Sequence, residues 1–83
     1  MLVMNDGKVV KITSLIGTTI KLERVKRGWS QENLALESNL SQNSIGAIER
    51  GTSVPSVETV EKIALAFGMT FFEFIDLVKL YNK

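Results

Sequence analysis

The chain has 83 residues, 45% of them hydrophobic, and 10 Lys and Arg against 9 Asp and Glu leave a formal net charge of +1. This is one domain near the lower size limit for a self-sufficient core, and its apolar content sets it apart from disordered chains. It contains no Cys and no His, which removes disulfides, thiolate and imidazole metal ligands and the commonest general base together. No metal, cofactor or catalytic activity is expected.

The first residues, Met1-Leu2-Val3-Met4-Asn5-Asp6-Gly7, lack a basic segment followed by an apolar run, and no stretch reaches membrane-spanning length. The expected location is cytoplasmic. Leu2-Val3-Met4 and Val9-Val10-Lys11-Ile12 are β-prone runs flanking the turn sequence Asn5-Asp6-Gly7. They predict a short N-terminal arm or hairpin over residues 1–14, unless the first helix already begins near Val10.

Five helices are expected next, at roughly 15–27, 30–38, 41–50, 56–67 and 70–81. Gly28, Asn39, Gly51 and Gly68 stand where left-handed residues would end them. Ser30, Ser41, Ser56 and Thr70 stand where side chains would cap the following ones. Thr70-Phe71-Phe72-Glu73 reads as a capping box, and Pro55 separates the third helix from the fourth.

Ile16, Ile20, Trp29, Leu34, Ala35, Leu40, Ile45, Ile48, Val57, Val60, Ile63, Ala64 and Phe67 fall at core-facing positions. Lys21, Arg24, Lys26 and Arg27 crowd the end of the first helix. They are either a phosphate-facing patch or a response to the helix dipole.

Residues 30–51 form two short helical stretches joined by a tight turn. On the second, Ile45 and Ile48 point inward, Gln42 and Asn43 sit at the exposed N-terminal end, and Asn43, Gly46, Ala47 and Arg50 form a stripe. A glycine inside a helix costs about 0.8–1 kcal/mol relative to alanine, so Gly46 and Ala47 mark a bare surface that something approaches closely. Either a DNA edge or another helix of the chain meets that description. A short helix tipped with Gln, Asn and Ser suits a major groove.

Several linked motifs here resemble the helix-turn-helix domain of the phage-repressor (Cro and repressor-like, XRE) family. They are Ser30-Gln31-Glu32 with Leu34-Ala35, Ile45, Ile48-Glu49-Arg50-Gly51, Pro55-Ser56 and Ile63-Ala64 with Phe67-Gly68. Residues 16–69 carry the likeness, which extends to restriction–modification controller proteins around Ser38-Asn39-Leu40 and Ile48-Glu49-Arg50-Gly51. The implied fold is all-α, a five-helix lambda-repressor-like domain over residues 15–83 with the last helix used for dimerisation.

The resemblance also implies roles. Gln31 would bond a phosphate and brace Gln42. Gln42, Asn43 and Ser44 would meet base edges, although Ser44 equally suits support of the helix start. Gly46 and Ala47 would lie against a thymine methyl. Arg50, with the backbone N–H groups of Thr52 and Ser53, would hold phosphate, and Arg24 with Glu49 would tie the first helix to the third. Some positions depart from the pattern: Asn39 replaces a frequent glycine, and Asn33 replaces the acidic residue of a capping box. Glu23 stands at a frequently apolar position, which would turn the inner side of the first helix toward Leu22 or Val25.

In the last helix, Phe71, Phe74, Ile75, Val78 and Tyr81 form one apolar stripe, with Phe72, Leu77 and Leu80 outside it. A helix apolar on most sides must be buried on most sides, so Phe71, Phe72, Phe74, Ile75, Leu77, Val78 and Tyr81 are expected at a homodimer interface. Coverage by the N-terminal tail is the alternative. These readings converge on a non-enzymatic regulator whose partner is a double-stranded DNA operator. The competing reading is an antitoxin-like module that also binds a partner protein.

Overall fold

The computed structural model describes residues 6–81, with side chains from residue 12 onward. Five helices follow one another: α1 (Asp6–Lys26), α2 (Gln31–Ser38), α3 (Gln42–Arg50), α4 (Val57–Ala66) and α5 (Phe71–Tyr81). No strand occurs among the described residues. The expected hairpin is therefore corrected: Val9–Ile12 lies within α1, which begins at Asp6, whereas Leu2-Val3-Met4 and Asn5 fall outside the described residues. Weak strand preferences of β-branched residues yield readily to context, and here the helix simply continues upstream of Leu15.

The helix ends follow their local chemistry. Ser30 Oγ accepts from Asn33 N at 3.0 Å while Asn33 Oδ1 accepts from Ser30 N at 3.1 Å, so an asparagine completes the box that starts α2. Thr70 and Glu73 make the same reciprocal pair at the start of α5, at 3.1 and 2.8 Å. Between α2 and α3, Asn39 takes φ 59° and ψ 43°, the one non-glycine residue with positive φ among those described. Its short amide side chain tolerates the left-handed region, so the α2–α3 turn closes without glycine.

The core lies where α1, α3 and α4 meet α2 and α5. Ile20, Leu34, Ile45, Ile63 and Phe74 are fully buried at its centre, with Ile48, Val60, Ala64, Phe67 and Val78 around them. Each large apolar side chain buried this way contributes about 1.5–3 kcal/mol. Ile16, Trp29 and Leu40 pack on its edge. Val57 departs from expectation: it opens α4 on the solvent side and is exposed.

Candidate nucleic-acid interface

A helix can read a surface only if its neighbours hold it still, and α3 is held from two sides. Glu49 is the anchor. Its carboxylate accepts from Arg24 Nε at 2.7 Å and Nη2 at 3.1 Å, and from Gln31 Nε2 at 3.0 Å. Arg24 Nη1 also donates to the Trp29 carbonyl at 2.7 Å. With side chains only 11% and 3% exposed, Arg24 and Glu49 form a nearly dry, two-pronged pair. One carboxylate thus joins α1, α2 and α3. The expected Arg24–Glu49 tie is present, but Gln31 braces Glu49 rather than Gln42.

On the other side, α1 comes so close that Gly17 has no room for a side chain. A Cβ there would run into the Ile48 carbonyl oxygen and lie 3.0 Å from that of Glu49. Gly17 is a site-building residue that sequence reading missed. Its partner is the backbone of a helix some thirty residues away, and no local pattern signals that.

On this scaffold, Gln42, Asn43, Ser44 and Arg50 are exposed, Ala47 is half-buried and Gly46 is buried. The Ser41 hydroxyl caps α3, accepting from Ser44 N at 3.0 Å and donating to Ser44 Oγ at 2.9 Å. Ser44 thus takes part in the cap of α3 while remaining exposed. At the opposite end, Thr52 departs from the phosphate-cradle expectation. Its N–H donates to the Ala47 carbonyl at 3.0 Å and its hydroxyl to the same oxygen at 3.2 Å, both consumed in closing the helix. The Ser53 N–H makes no such backbone bond among the described residues.

In the basic cluster at the end of α1, Arg24 and Arg27 turn partly inward while Lys21 and Lys26 stay exposed. Besides Arg24, Arg27 pairs with the buried carboxylate of Glu23, donates from Nη2 to the Phe67 carbonyl at 2.9 Å and lies over the Phe67 ring, 4.7 Å from its centroid. Lys26 Nζ sits 3.5 Å from Glu23 and the Tyr81 hydroxyl donates to Glu23 at 2.8 Å. Burial pushes the Glu23 carboxyl up. The hydrogen bonds from Arg27 and Tyr81 and the charges of Lys26 and Arg27 together outweigh it, leaving Glu23 below the usual glutamate range. The bond to Glu23 raises the Tyr81 hydroxyl above its ordinary value of 10. Satisfied polar groups can be buried without great cost. That is why Glu23 occupies the inner side of α1 and Leu22 and Val25, expected there, are exposed.

The arrangement is a capped, glycine-stopped α3 lying against a shorter α2 with its amide tip outward. A family model described as Helix-turn-helix, HTH_3, matches residues 20–74. The chain belongs to this helix-turn-helix family.

Among its helix-turn-helix relatives, the control protein C.BamHI of Bacillus amyloliquefaciens is 36% identical over 72 residues, covering 86% of this chain and 89% of that protein. The HTH-type transcriptional regulator SutR of Escherichia coli (strain K12) is 39% identical over 64 residues, which is 77% of this chain but 36% of SutR. The chain thus spans little more than a third of SutR, and 60% of a Neisseria meningitidis hypothetical transcription factor. Of solved structures, the wild-type restriction–modification controller protein C.Esp1396I superposes with a TM-score of 0.75 at 28% identity, covering 82% of this chain and 87% of that one. The controller C.AhdI from Aeromonas hydrophila gives 0.73 at 30% identity, over 77% and 97% of the two chains.

Proposed function

We propose that this domain is a sequence-specific, double-stranded DNA-binding transcriptional regulator. It acts as a homodimer on a pseudo-palindromic operator, in the manner of restriction–modification controllers or phage-type repressors. The observation that carries the reading is the exposure of Gln42 and Asn43 at the capped tip of a helix that Glu49 and Gly17 immobilise.

Gln42 and Asn43 offer carboxamides of the kind that pair with adenine N6 and N7. Ala47 lies against a thymine methyl, while Arg50, Gln31 and the Ser53 N–H meet phosphate and fix register. With a formal net charge of only +1, the domain relies on base contacts more than on bulk charge. Binding, not catalysis, is its activity, and the cytoplasm is its place of work. Among the described residues no helix is long and apolar enough to cross a membrane.

In vitro selection from random duplexes tests this. The wild-type chain should enrich a two-fold-related sequence whose half-sites lie about one helical turn, about 34 Å, apart. On that duplex, Gln42→Ala should lose about 1–3 kcal/mol and relax preference at one base pair. Arg50→Ala should weaken every duplex alike. Selection that enriches nothing, or variants that bind as wild type, would refute the reading.

A further inference from the structure

Gly46 is buried, yet it lies on the face of α3 turned from the core. Two polar side chains cover it. A Cβ placed there would stand 3.1 Å from Arg50 Nη1, 3.5 Å from Gln31 Oε1 and 3.9 Å from Gln31 Nε2. The helix backbone needs no glycine at this position, since its φ is not in the left-handed region. What the missing methyl provides is space, and that space is filled by a guanidinium from α3 and a carboxamide from α2.

Arg50 lies one helical turn beyond Gly46, so its side chain folds back along its own helix to reach the notch. Gln31 reaches it from the first turn of α2. There it is already fixed by donating to Glu49, which Arg24 holds in turn. Among the described residues Arg50 forms no ion pair.

We propose that Gly46 is a positioning residue whose empty site seats the Arg50 guanidinium against Gln31, so that the two side chains act as one phosphate clamp spanning α2 and α3. This rests on the DNA-binding reading and replaces the thymine contact that the resemblance implies for Gly46: the residue serves the phosphate contact instead. A guanidinium resting beside an amide already bonded to Glu49 loses less freedom on meeting phosphate than one with no neighbour to lean on. Gly46 thereby tunes affinity without carrying sequence information.

The test uses the duplex selected by the wild-type chain, its single-base-pair variants, and a version with thymine replaced by uracil. Binding is followed by fluorescence anisotropy across a range of salt. Gly46→Ala shifts the guanidinium by a few tenths of an ångström and should weaken binding slightly; Gly46→Leu fills the notch and should weaken it about tenfold to a hundredfold, the scale of a lost hydrogen bond to a charged group. The loss should be equal on every duplex, with a salt slope shallower by about one counterion. In an Arg50→Ala background, Gly46→Leu should add less than about twofold.

Both replacements are better helix formers than glycine, so melting followed by circular dichroism should show no loss of fold. If Gly46→Leu did unfold the domain, the same uniformity and Arg50 dependence would be read from Gly46→Ala. A loss confined to one T·A pair and mimicked by uracil would overturn the proposal, as would an equal loss with and without Arg50. If the wild-type chain selected no duplex, the DNA reading itself would fall, a result distinct from either.

Discussion

At the scale of single residues, the domain depends on a few positions where one atom decides the packing. Gly17 is the clearest. Alanine is the better helix former by about 0.8–1 kcal/mol, so on an exposed surface Gly17→Ala would stabilise α1. Here the new methyl meets the backbone carbonyl of Ile48, which cannot swing away. Overpacking of this kind costs about 1–3 kcal/mol, and the variant should show that loss in urea unfolding along with weaker duplex binding as α1 and α3 move apart. Unchanged stability would mean that the two helices are not held where the structure has them. Gly46 contrasts with it, because its neighbours are the ends of flexible side chains. Two glycines in helix interiors look alike in the sequence; what faces each of them makes one structural and the other adjustable.

At the scale of elements, the helices are joined by polar contacts as well as by the apolar core. Glu23 of α1 and Tyr81 of α5 are 58 residues apart and share a hydrogen bond. Glu23 titrates below the ordinary glutamate range in the folded chain, so the unfolded chain takes up its proton first as pH falls. The contribution of Glu23 is therefore whole above the unfolded glutamate value, about 4.3, and is lost as pH drops through the lower folded value. Urea unfolding between pH 6 and pH 3 should show stability declining with acid, and Glu23→Gln should be less stable at pH 6 with a shallower decline. A slope unaltered by the substitution would remove Glu23 as its source.

Helix ends were legible in the sequence because capping is local. Ser30, Ser41, Ser56, Thr70 and Asn39 act where their neighbours within four residues imply. The start of α1 was not legible, since Asp6-Gly7 and Val9-Val10 carry turn and strand signals that continuation of the helix overrides. The burial of Glu23 was hidden for another reason. A carboxylate reads as solvent-facing until Arg27 and the distant Tyr81 are known to converge on it.

At the scale of the whole molecule, α5 divides its apolar residues between two uses. Phe74 and Val78, expected at a dimer interface, are buried in the chain's own core, and Phe71 and Ile75 pack against it. Phe72 at 75% exposure and Leu80 at 60% remain outward, with Leu77 partly so. Leu77 and Leu80 line an open groove with Phe67, Met69 and Arg27. If this surface joins two copies, sedimentation equilibrium at micromolar concentration should give a dimer, and Phe72→Glu should give a folded monomer with weaker binding to a two-half-site duplex. A wild-type monomer under those conditions would require another occupant for α5. The sequence revealed that α5 has more apolar surface than one core uses. It did not reveal which residues are left over, because that depends on the angle at which α5 crosses α1 and α4.

Glu23 and Arg24 are consecutive residues on α1, yet they grip opposite parts of the molecule: one holds the end of α5, the other the α2–α3 unit. If the proposed operator binding holds, a screen for variants that lose it should collect substitutions at both positions. Residue by residue, that map of damage would point to α1, whose two consecutive side chains link α5 to the α2–α3 unit.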